Sequence, residues 1–416
     1  MKKLSFLPII IVLCLILTGC SNSDEPMKTS NEYGVSHSLI RTESEAVDIA
    51  ISHMEGRAGV DSRSGYKVKN VDIIGGSSSR SMEDTLIYAI NFTNDRGFVL
   101  VSAAKRGEDI IGYADTGQIN VADFDSNPGF AFYMDAARDY VYNATLLPID
   151  TTVTPFIPQP DPEVSYEKIT PRVEVEWGQD DPEGYLFANN HCGCAQTACL
   201  QMLTVFKQPT EVVYTYPGHS IVSESIDWNA LCNHKKSNHH DYKTGYLYSN
   251  CEATPESHFQ IGRIAREMGY RNNADDSKPN GTSTKGILAR NTMRSWLPDN
   301  FYVSDFTKLN ISYDNLFNIL KRRKTVIYMR GETSNGEGHA WICSGGERIT
   351  IVHHDDLYLH GDKEIKTYFH FNWGWEGYCN GYFTAGVFNT SNSVIPSRAD
   401  FVKNYYYFYV YPTIKL

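Results

Sequence analysis

Apolar and polar positions follow two different periods along the chain, and the changes of period divide it into parts. Thr42 and Glu45 have capping-box spacing, and apolar residues then recur on one side of a helix. Short runs rich in β-branched and aromatic residues follow between residues 66 and 113, and a second helix is predicted over residues 129–144. These patterns predict a small α+β domain over residues 36–150.

A larger pattern occupies residues 173–416, where helical spacing comes first and strands dominate the end. Helices are predicted at residues 194–206, 257–268 and 312–321. Strands are predicted at residues 325–329, 339–344, 348–352, 366–372, 381–384 and 405–412. A helical first half followed by a stranded second half indicates an α+β domain with two lobes and a cleft between them.

A proline-rich segment over residues 151–172 joins these two parts. Prolines crowd this region and its edge, at Pro148, Pro155, Pro158, Pro160, Pro162 and Pro171. Proline has no backbone N–H, so such a segment cannot form regular ladders and stays exposed to proteases. We predict an activation cleavage here, made by the protein itself or by another protease. A plain interdomain linker is the alternative.

Residues 1–19 have the pattern of an export signal rather than of a folded element. Lys2 and Lys3 precede an apolar run over residues 4–17 that is too short for a comfortable membrane span. The run ends in Leu17-Thr18-Gly19-Cys20, which resembles the lipobox of bacterial lipoproteins. That resemblance implies cleavage before Cys20, a lipid on its thiol and a location in the cell envelope, periplasmic or surface-facing. The polar residues 20–35 then predict a tether, and an ordinary secretory signal is the alternative.

Composition narrows the class of protein. The 416 residues carry a formal net charge of −11, which argues against nonspecific nucleic-acid binding, and 12% are aromatic, which argues against disorder. Two of the nine cysteines lie in the leader, so seven remain, and an odd number outside the cytoplasm predicts a free thiol. No CxxC pair recurs, which argues against a four-cysteine zinc site. We expect neither a metal nor an organic cofactor.

Cys194 is the candidate nucleophile because it falls at the predicted start of a helix. Unpaired backbone N–H groups and the positive end of the helix dipole favour a thiolate there. A buried structural cysteine is the alternative reading of this residue alone.

The other members of a catalytic site can be proposed from local patterns. His339 begins an apolar strand after a glycine-rich turn, 145 residues beyond Cys194, and could act as the base. Asn372 ends a strand and is expected to accept a hydrogen bond from the imidazole, while Trp373 would shield that bond from water. Gln179 and the backbone N–H of Cys194 are expected to stabilise an oxyanion.

Four motifs resemble the streptopain family of cysteine peptidases, in the family's order. They are Trp177-Gly178-Gln179, Gly193-Cys194-x-x-Thr197-Ala198, Gly338-His339-Ala340 and Asn372-Trp373-Gly374-Trp375-x-Gly377. Residues 97–113 are similar to the family's propeptide, and the resemblance covers about residues 40–415.

This resemblance implies a papain-like two-lobed endopeptidase that is made as a zymogen and acts on proteins or peptides. Its own propeptide would inhibit it by occupying or distorting the site. The implied roles are Cys194 nucleophile, His339 base, Asn372 orienter, Gln179 oxyanion donor and Trp373 shield. The implied substrate cleft contains Gly193, Thr282, Ser283, Gly338 and Ala340, and the membrane would be touched only through the lipid on Cys20.

Two features depart from the family pattern. Cys192 lies two residues before the nucleophile and could oxidise with it, although simple packing is the commoner role of such a cysteine. The segment from His339 to Asn372 is long, and its tip carries His353, His354 and His360. A solvated hairpin is favoured over a metal site for these histidines, and for His234, His239 and His240.

Two other functions remain open on the sequence alone. The first is a catalytically idle surface lipoprotein that uses a papain-like cleft as a binding module. The second is a hydrolase or transferase of the same fold that acts on amides other than the protein backbone.

Overall fold

The computed structural model describes residues 39–58, 65–75, 85–146, 162–180, 182–218, 220, 222–234, 240–241, 246–247, 254–279, 281–310, 312–332, 338–353, 363–388 and 404–413. The predicted signal, Cys20, the tether, most of the linker, His239, His354 and His360 lie outside these residues. No helix in the described ranges is long and apolar enough to cross a membrane.

The N-terminal part consists of two helices and a small antiparallel sheet. Its elements are α1 (Glu43–Ala58), β1 (Val68–Gly75), β2 (Thr85–Phe92), β3 (Phe98–Ser102), β4 (Ile110–Ala114) and α2 (Pro128–Thr145). The capping box is confirmed, since the backbone N–H of Thr42 donates to Glu45 and that of Glu45 donates to the hydroxyl of Thr42. The side chain of Asn127 caps α2 by accepting from the N–H of Phe130 at 3.1 Å.

The C-terminal part contains the remaining elements. They are β5 (Glu163–Ile169), α3 (Cys194–Phe206), β6 (Glu211–Tyr214), β7 (Val222–Ser225), α4 (Trp228–Cys232), β8 (His240–Asp241), β9 (Tyr246–Leu247), α5 (Pro255–Arg271), α6 (Gly286–Trp296), β10 (Phe301–Val303), β11 (Thr307–Lys308), α7 (Tyr313–Arg323), β12 (Ile327–Glu332), β13 (Gly338–Val352), β14 (Lys363–Asn372), β15 (Gly381–Thr384) and β16 (Asn404–Pro412). The α+β class and the order of helices before strands are as predicted.

Strand β13 separates two hydrophobic clusters because successive side chains point to opposite faces of a sheet. Ala340 and Ile342 belong to the cluster that contains α3, α5 and α6. Trp341 and Cys343 belong to the cluster that contains α2 of the N-terminal part. The N-terminal part therefore supplies core for the C-terminal sheet.

One sheet runs through both parts of the chain. Its strands lie in the order β1-β2-β3-β4-β15-β14-β13-β12-β16-β10, with β5 paired to β13 and β11 to β16. At the junction Gly112 of β4 pairs with Phe383 of β15, and a Cβ on Gly112 would lie 2.5 Å from that ring. A glycine is required for so close an approach.

Strand β5 corrects the prediction that the whole 151–172 segment is irregular. Glu163–Ile169 pairs antiparallel with β13, from Glu163 opposite Val352 to Ile169 opposite Gly346. This stretch contains no proline, and Pro162 and Pro171 only bracket it. Every residue of the stretch therefore has the backbone N–H that proline lacks, and the stretch can pair with a neighbouring strand along its length.

A buried ion pair connects α1 to β13. The Nε of Arg57 lies 2.7 Å from a carboxylate oxygen of Glu347, and both side chains are almost fully buried. The same guanidinium also reaches Asp115 at 2.6 Å and lies 4.0 Å from the ring centre of Tyr113. Breaking such a pair would leave a charge without its partner inside the protein.

Candidate active site

Cys194 is the first residue of α3, and Gly193 forms the turn before it. Gly193 has a φ of +90°, and a Cβ at this position would lie 2.6 Å from the carbonyl oxygen of Thr282. Glycine suits this combination of positive φ and close approach. The turn places the thiol at the helix N-terminus, where the helix dipole favours a thiolate.

His339 lies near the start of β13, opposite Gly331 of β12, and its side chain is buried. Its Nε2 is 3.0 Å from the backbone carbonyl oxygen of Trp373. A carbonyl can only accept, so Nε2 must carry a proton and the neutral ring keeps its lone pair on Nδ1. A backbone group thus fixes the tautomer that a general base needs.

Cys194 and His339 line the same cavity of about 820 Å³, and the imidazole acts electrostatically on the thiol there. Burial raises the pKa of the thiol, whereas the neighbouring charge of His339 lowers it. The cation of Arg330 and a backbone hydrogen bond from Ala340 act in the same direction, and the pKa falls from its ordinary value to about 7. A substantial fraction of Cys194 is therefore ionised at neutral pH.

Among the described residues, the side chain of Asn372 makes no hydrogen bond to the imidazole, so the direct bond that was predicted to orient His339 is not formed. Its Oδ1 accepts from the N–H of Gly374 and from Nε2 of Gln201, both at 3.1 Å. These bonds fix the turn whose backbone presents the Trp373 carbonyl to the ring. Asn372 therefore positions His339 through the backbone.

Trp373 is fully buried beside the catalytic histidine. Its Nε1 donates to the carbonyl of Cys379 at 2.9 Å, and its ring packs against Trp341 and Phe371. This position is compatible with the predicted shielding of the hydrogen bond that His339 makes to the Trp373 carbonyl.

Gln179 lines the same cavity as Cys194. Its backbone carbonyl accepts from the N–H of Cys192 at 2.8 Å, which ties the Gln179 loop to the nucleophile loop. A second tie runs from the hydroxyl of Thr197 to the carbonyl of Gly178 at 2.8 Å. These two bonds hold the backbone of the Gln179 loop against the nucleophile loop, and the role of Gln179 as an oxyanion donor stays a prediction.

The predicted cleft residues fall into two groups. Thr282, Ser283 and Gly338 line the cavity. Gly193 packs behind Thr282, and Ala340 is buried, so the expectation that Ala340 lines the cleft was wrong. Its side chain points toward α3 because of the strand alternation described above.

Several cavity residues were missed by sequence reasoning. They include Pro128, His191, Lys278, Arg330 and Trp375. Trp375 is half-buried and lines the cavity. Arg330 had no motif to mark it; it reaches the site because β12 pairs it with Ala340, next to His339.

Comparisons with known proteins agree with this geometry. Residues 163–383, more than half of the chain, match the Peptidase C10 family. The chain belongs to the Peptidase C10 family. Residues 41–141 match a second family, described as Spi protease inhibitor.

Individual relatives support the same assignment. Streptopain from Streptococcus pyogenes is 24% identical over 400 residues, which cover 87% of this chain and 89% of that protein. A prointerpain A fragment from Prevotella intermedia has a TM-score of 0.51 at 19% identity, and covers 81% of this chain and 98% of the fragment. The resemblance to the streptopain family is confirmed, and this C10 chain is a cysteine peptidase with a propeptide domain.

Helix α2 of the propeptide domain lies directly on His339. Pro128 lines the cavity that holds Cys194. At Gly129, a Cβ would lie 2.4 Å from Cδ2 and 2.7 Å from Nε2 of His339. Helix α2 therefore occupies space beside Cys194 and on the imidazole of His339.

Cys192 is fully buried beside the nucleophile loop. Its sulfur lies 3.2 Å from the hydroxyl of Thr197, and burial raises its pKa well above the ordinary value. Cys192 is therefore held as a neutral thiol, which fits packing better than redox exchange.

The remaining histidines do not converge. In the part of the chain that the structure describes, no group of three or more His, Cys, Asp or Glu residues is placed to hold a metal ion. His234 is buried and bonds the hydroxyl of Ser257 at 2.7 Å, whereas His353 is exposed.

Proposed function

We propose that this chain is an exported, lipid-anchored bacterial cysteine endopeptidase that is made as an inactive zymogen. The observation that carries the proposal is that Cys194, His339 and Gln179 line one cavity, where His339 lowers the pKa of the Cys194 thiol. Peptidase activity follows from membership of the family. We infer in addition that the enzyme cleaves within polypeptide chains, that it is exported, and that it uses the mechanism described below.

Acylation would begin with the thiolate of Cys194. The sulfur attacks the carbonyl carbon of the scissile peptide bond, and the carbonyl electrons move onto oxygen. The Gln179 amide and the backbone N–H of Cys194 stabilise that oxyanion. When the intermediate collapses, the C–N bond breaks and His339 gives its Nδ1 proton to the leaving amine, which leaves a thioester on Cys194.

Deacylation would use the same groups in reverse roles. Neutral His339 removes a proton from water through Nδ1, and the resulting hydroxide attacks the thioester carbon. The C–S bond breaks, the acid product leaves, and the thiolate is restored beside the imidazolium. Because the Trp373 carbonyl holds Nε2 throughout, the ring keeps one orientation in both half-reactions.

Latency would come from α2, since Pro128 and Gly129 occupy space beside the nucleophile and on the imidazole. Cleavage between residues 151 and 162 would detach the propeptide covalently and let it dissociate. The Cys20 anchor would then stay with the propeptide, and the mature enzyme would be released from the envelope. The lipobox-like sequence supports the anchoring step.

The test compares the full-length protein with a Cys194→Ala variant. We expect the wild type to mature, to hydrolyse casein internally, and to be labelled by a peptidyl epoxide at Cys194. The variant should remain full-length unless another protease is added. N-terminal sequencing of the active species should place the cut between residues 151 and 162, and Cys20→Ser should abolish lipid labelling.

Each rival function has its own outcome in this test. Tight binding of a ligand with neither epoxide labelling nor hydrolysis would favour the idle binding module. Epoxide labelling with turnover of small amides, but no cleavage of any protein in a mixed digest, would favour the non-peptide hydrolase.

A further inference from the structure

A basic groove lies at the opposite end of α3 from the nucleophile. We use this name for a cavity of about 980 Å³ between the ends of α3, α7 and β16 and the segment after β5. Its described lining includes the cations Lys168, Arg172, Lys321, Arg322, Arg323 and Lys324, and the carboxylate of Glu174. Such a concentration of positive charge stands out in a chain with a net charge of −11.

Several of these cations are not neutralised by the protein. Lys321 pairs with Glu167, but among the described residues no carboxylate forms an ion pair with Arg172, Arg322, Arg323 or Lys324. Lys321–Lys324 are exposed along the rim.

Two of the arginines are nevertheless held in place. The Nη1 of Arg172, which is half-buried, donates to the neutral carbonyl of Thr325 at 3.1 Å. The guanidinium of Arg323 lies 4.5 Å from the ring centre of Tyr411. Both contacts fix the side chain and leave its charge available to a ligand.

Helix stability explains only part of this arrangement. Basic residues in the last turn of α7 interact favourably with the helix dipole, which accounts for Lys321, Arg322 and Arg323. Arg172 comes from a different segment, about 150 residues away in sequence, and faces the same cavity. Convergence of two separate segments on one concavity requires another explanation.

The floor of the groove indicates which anion fits. Unlike the exposed cations of residues 321–324, the apolar lining residues are buried or half-buried; they are Ile169, Pro171, Val205, Phe206 and Pro412. A polypeptide with both acidic and apolar side chains matches a cationic rim over an apolar floor. A membrane surface would need a flat or convex patch, and a sulfated glycan would leave the apolar floor without partners.

We propose that the basic groove binds acidic segments of protein substrates, as a second contact remote from the catalytic cleft. Cys194 and Phe206 lie at opposite ends of α3, so the two sites are about 18 Å apart along the helix axis. An extended chain needs at least about six residues to cover that distance. The groove therefore affects long substrates and leaves short peptides unaffected.

Direct binding tests the groove independently of the proposed mechanism. The probe is a fluorescent 12-residue peptide of alternating glutamate and leucine, added to the full-length chain carrying Cys194→Ala. Arg322→Glu with Lys324→Asn lowers the net charge by three, and asparagine suits the left-handed backbone of residue 324, where φ is +48°. We expect this pair to weaken binding by about tenfold or more, with a smaller salt dependence.

A matched control carries Lys308→Glu with Lys363→Asn, which gives the same charge change on exposed cations outside the groove. Control binding should stay within about twofold of the parent, since screening limits distant charges. If the groove variant and the control variant weakened peptide binding equally, net charge alone would account for the effect and the proposal would be overturned. Thermal unfolding of each variant shows whether it is folded, and Arg172→Gln provides a second groove variant away from α7.

Competition and turnover complete the test. A sulfated oligosaccharide or anionic phospholipid vesicles that bind the groove more tightly than the peptide would overturn the polypeptide assignment. In matured enzyme, the groove pair should lower kcat/KM for an acidic protein by about five- to tenfold and leave a four-residue fluorogenic peptide unchanged. Loss of both activities, or of neither, would contradict the proposal, whereas absence of any hydrolysis in the parent contradicts only the proposed function.

Discussion

The Nε2 of His339 is hydrogen-bonded to the backbone carbonyl of Trp373 at 3.0 Å, and no side chain among the described residues takes that role. The tautomer of the catalytic base therefore depends on the path of the backbone through one turn. Asn372 acts one step further away, through the N–H of Gly374 and the amide of Gln201.

This relationship predicts a partial effect of Asn372→Ala. The variant loses the bonds to Gly374 and Gln201, so we expect about 1–3 kcal/mol of lost stability and a 10- to 100-fold lower kcat. His339→Ala should abolish turnover without a comparable loss of stability. Active-site-titrated kinetics and thermal unfolding of both variants measure these effects. An Asn372→Ala protein that is fully inactive but as stable as the parent would show that the side chain contacts the reacting groups.

The electrostatics of the thiol predict the acid side of the pH profile. Since the pKa of Cys194 is lowered to about 7, the thiolate is lost as pH falls below that value, and kcat/KM should fall with it. Arg330→Gln removes a cation that favours the thiolate, so the acid limb should move to higher pH. The rate of inactivation by iodoacetamide against pH reports the same shift.

Arg330 also pairs with Glu332 at 2.8 Å, so a control is needed. Arg330→Gln with Glu332→Gln removes both charges and should move the limb by less than Arg330→Gln alone. If the acid limb of the pH profile stayed at the same pH in both variants, Arg330 would not act on the thiol.

The contact between α2 and the imidazole predicts a leaky zymogen in Gly129→Val. The added side chain must overlap the His339 ring, where a Cβ alone would come within 2.4 Å. Propeptide docking should weaken and maturation should quicken by about tenfold or more. Asp135→Ala, at an exposed position on the same helix, should leave maturation unchanged. Time courses of processing by gel and by fluorogenic substrate decide between these outcomes.

The buried pair of Arg57 and Glu347 predicts a second route to early activation. Arg57→Met leaves the Glu347 carboxylate buried without its partner, which should cost the zymogen about 3–5 kcal/mol. The double variant Arg57→Met with Glu347→Gln also removes the unpaired carboxylate charge and should recover part of the lost stability. Denaturant unfolding of the full-length chain, kept in a Cys194→Ala background, measures both. A double variant no more stable than the single would argue against the ion pair as the cause.

The oxyanion assignment predicts a loss of kcat in Gln179→Ala. Removing one donor should lower kcat by about 100- to 1,000-fold and change KM little, since the donor binds charge that develops only in the transition state. Gln179→Glu places a repelling carboxylate at the same position and should be at least as damaging. A rise of KM with unchanged kcat would assign Gln179 to substrate binding instead.

Much of the fold could be predicted from periodicity. The predicted helices correspond to α1, α2, α3, α5 and α7, because each has an apolar stripe with a cap or a turn before it. Helix α6 (Gly286–Trp296) and strand β5 were missed. Helix α6 has no side-chain hydrogen bond at its N-cap, and β5 is stabilised by pairing with β13, a partner nearly 180 residues away in sequence.

By itself, the sequence determined the nucleophile candidate, the histidine and the order of motifs, because these depend on residue type and on local helix and strand starts. Only the tertiary structure decided that a backbone carbonyl orients His339, that Arg330 and Trp375 reach the cavity, and that Gly129 lies on the imidazole. Each of these depends on which face of an element meets which distant partner, and residue spacing along one chain does not contain that information.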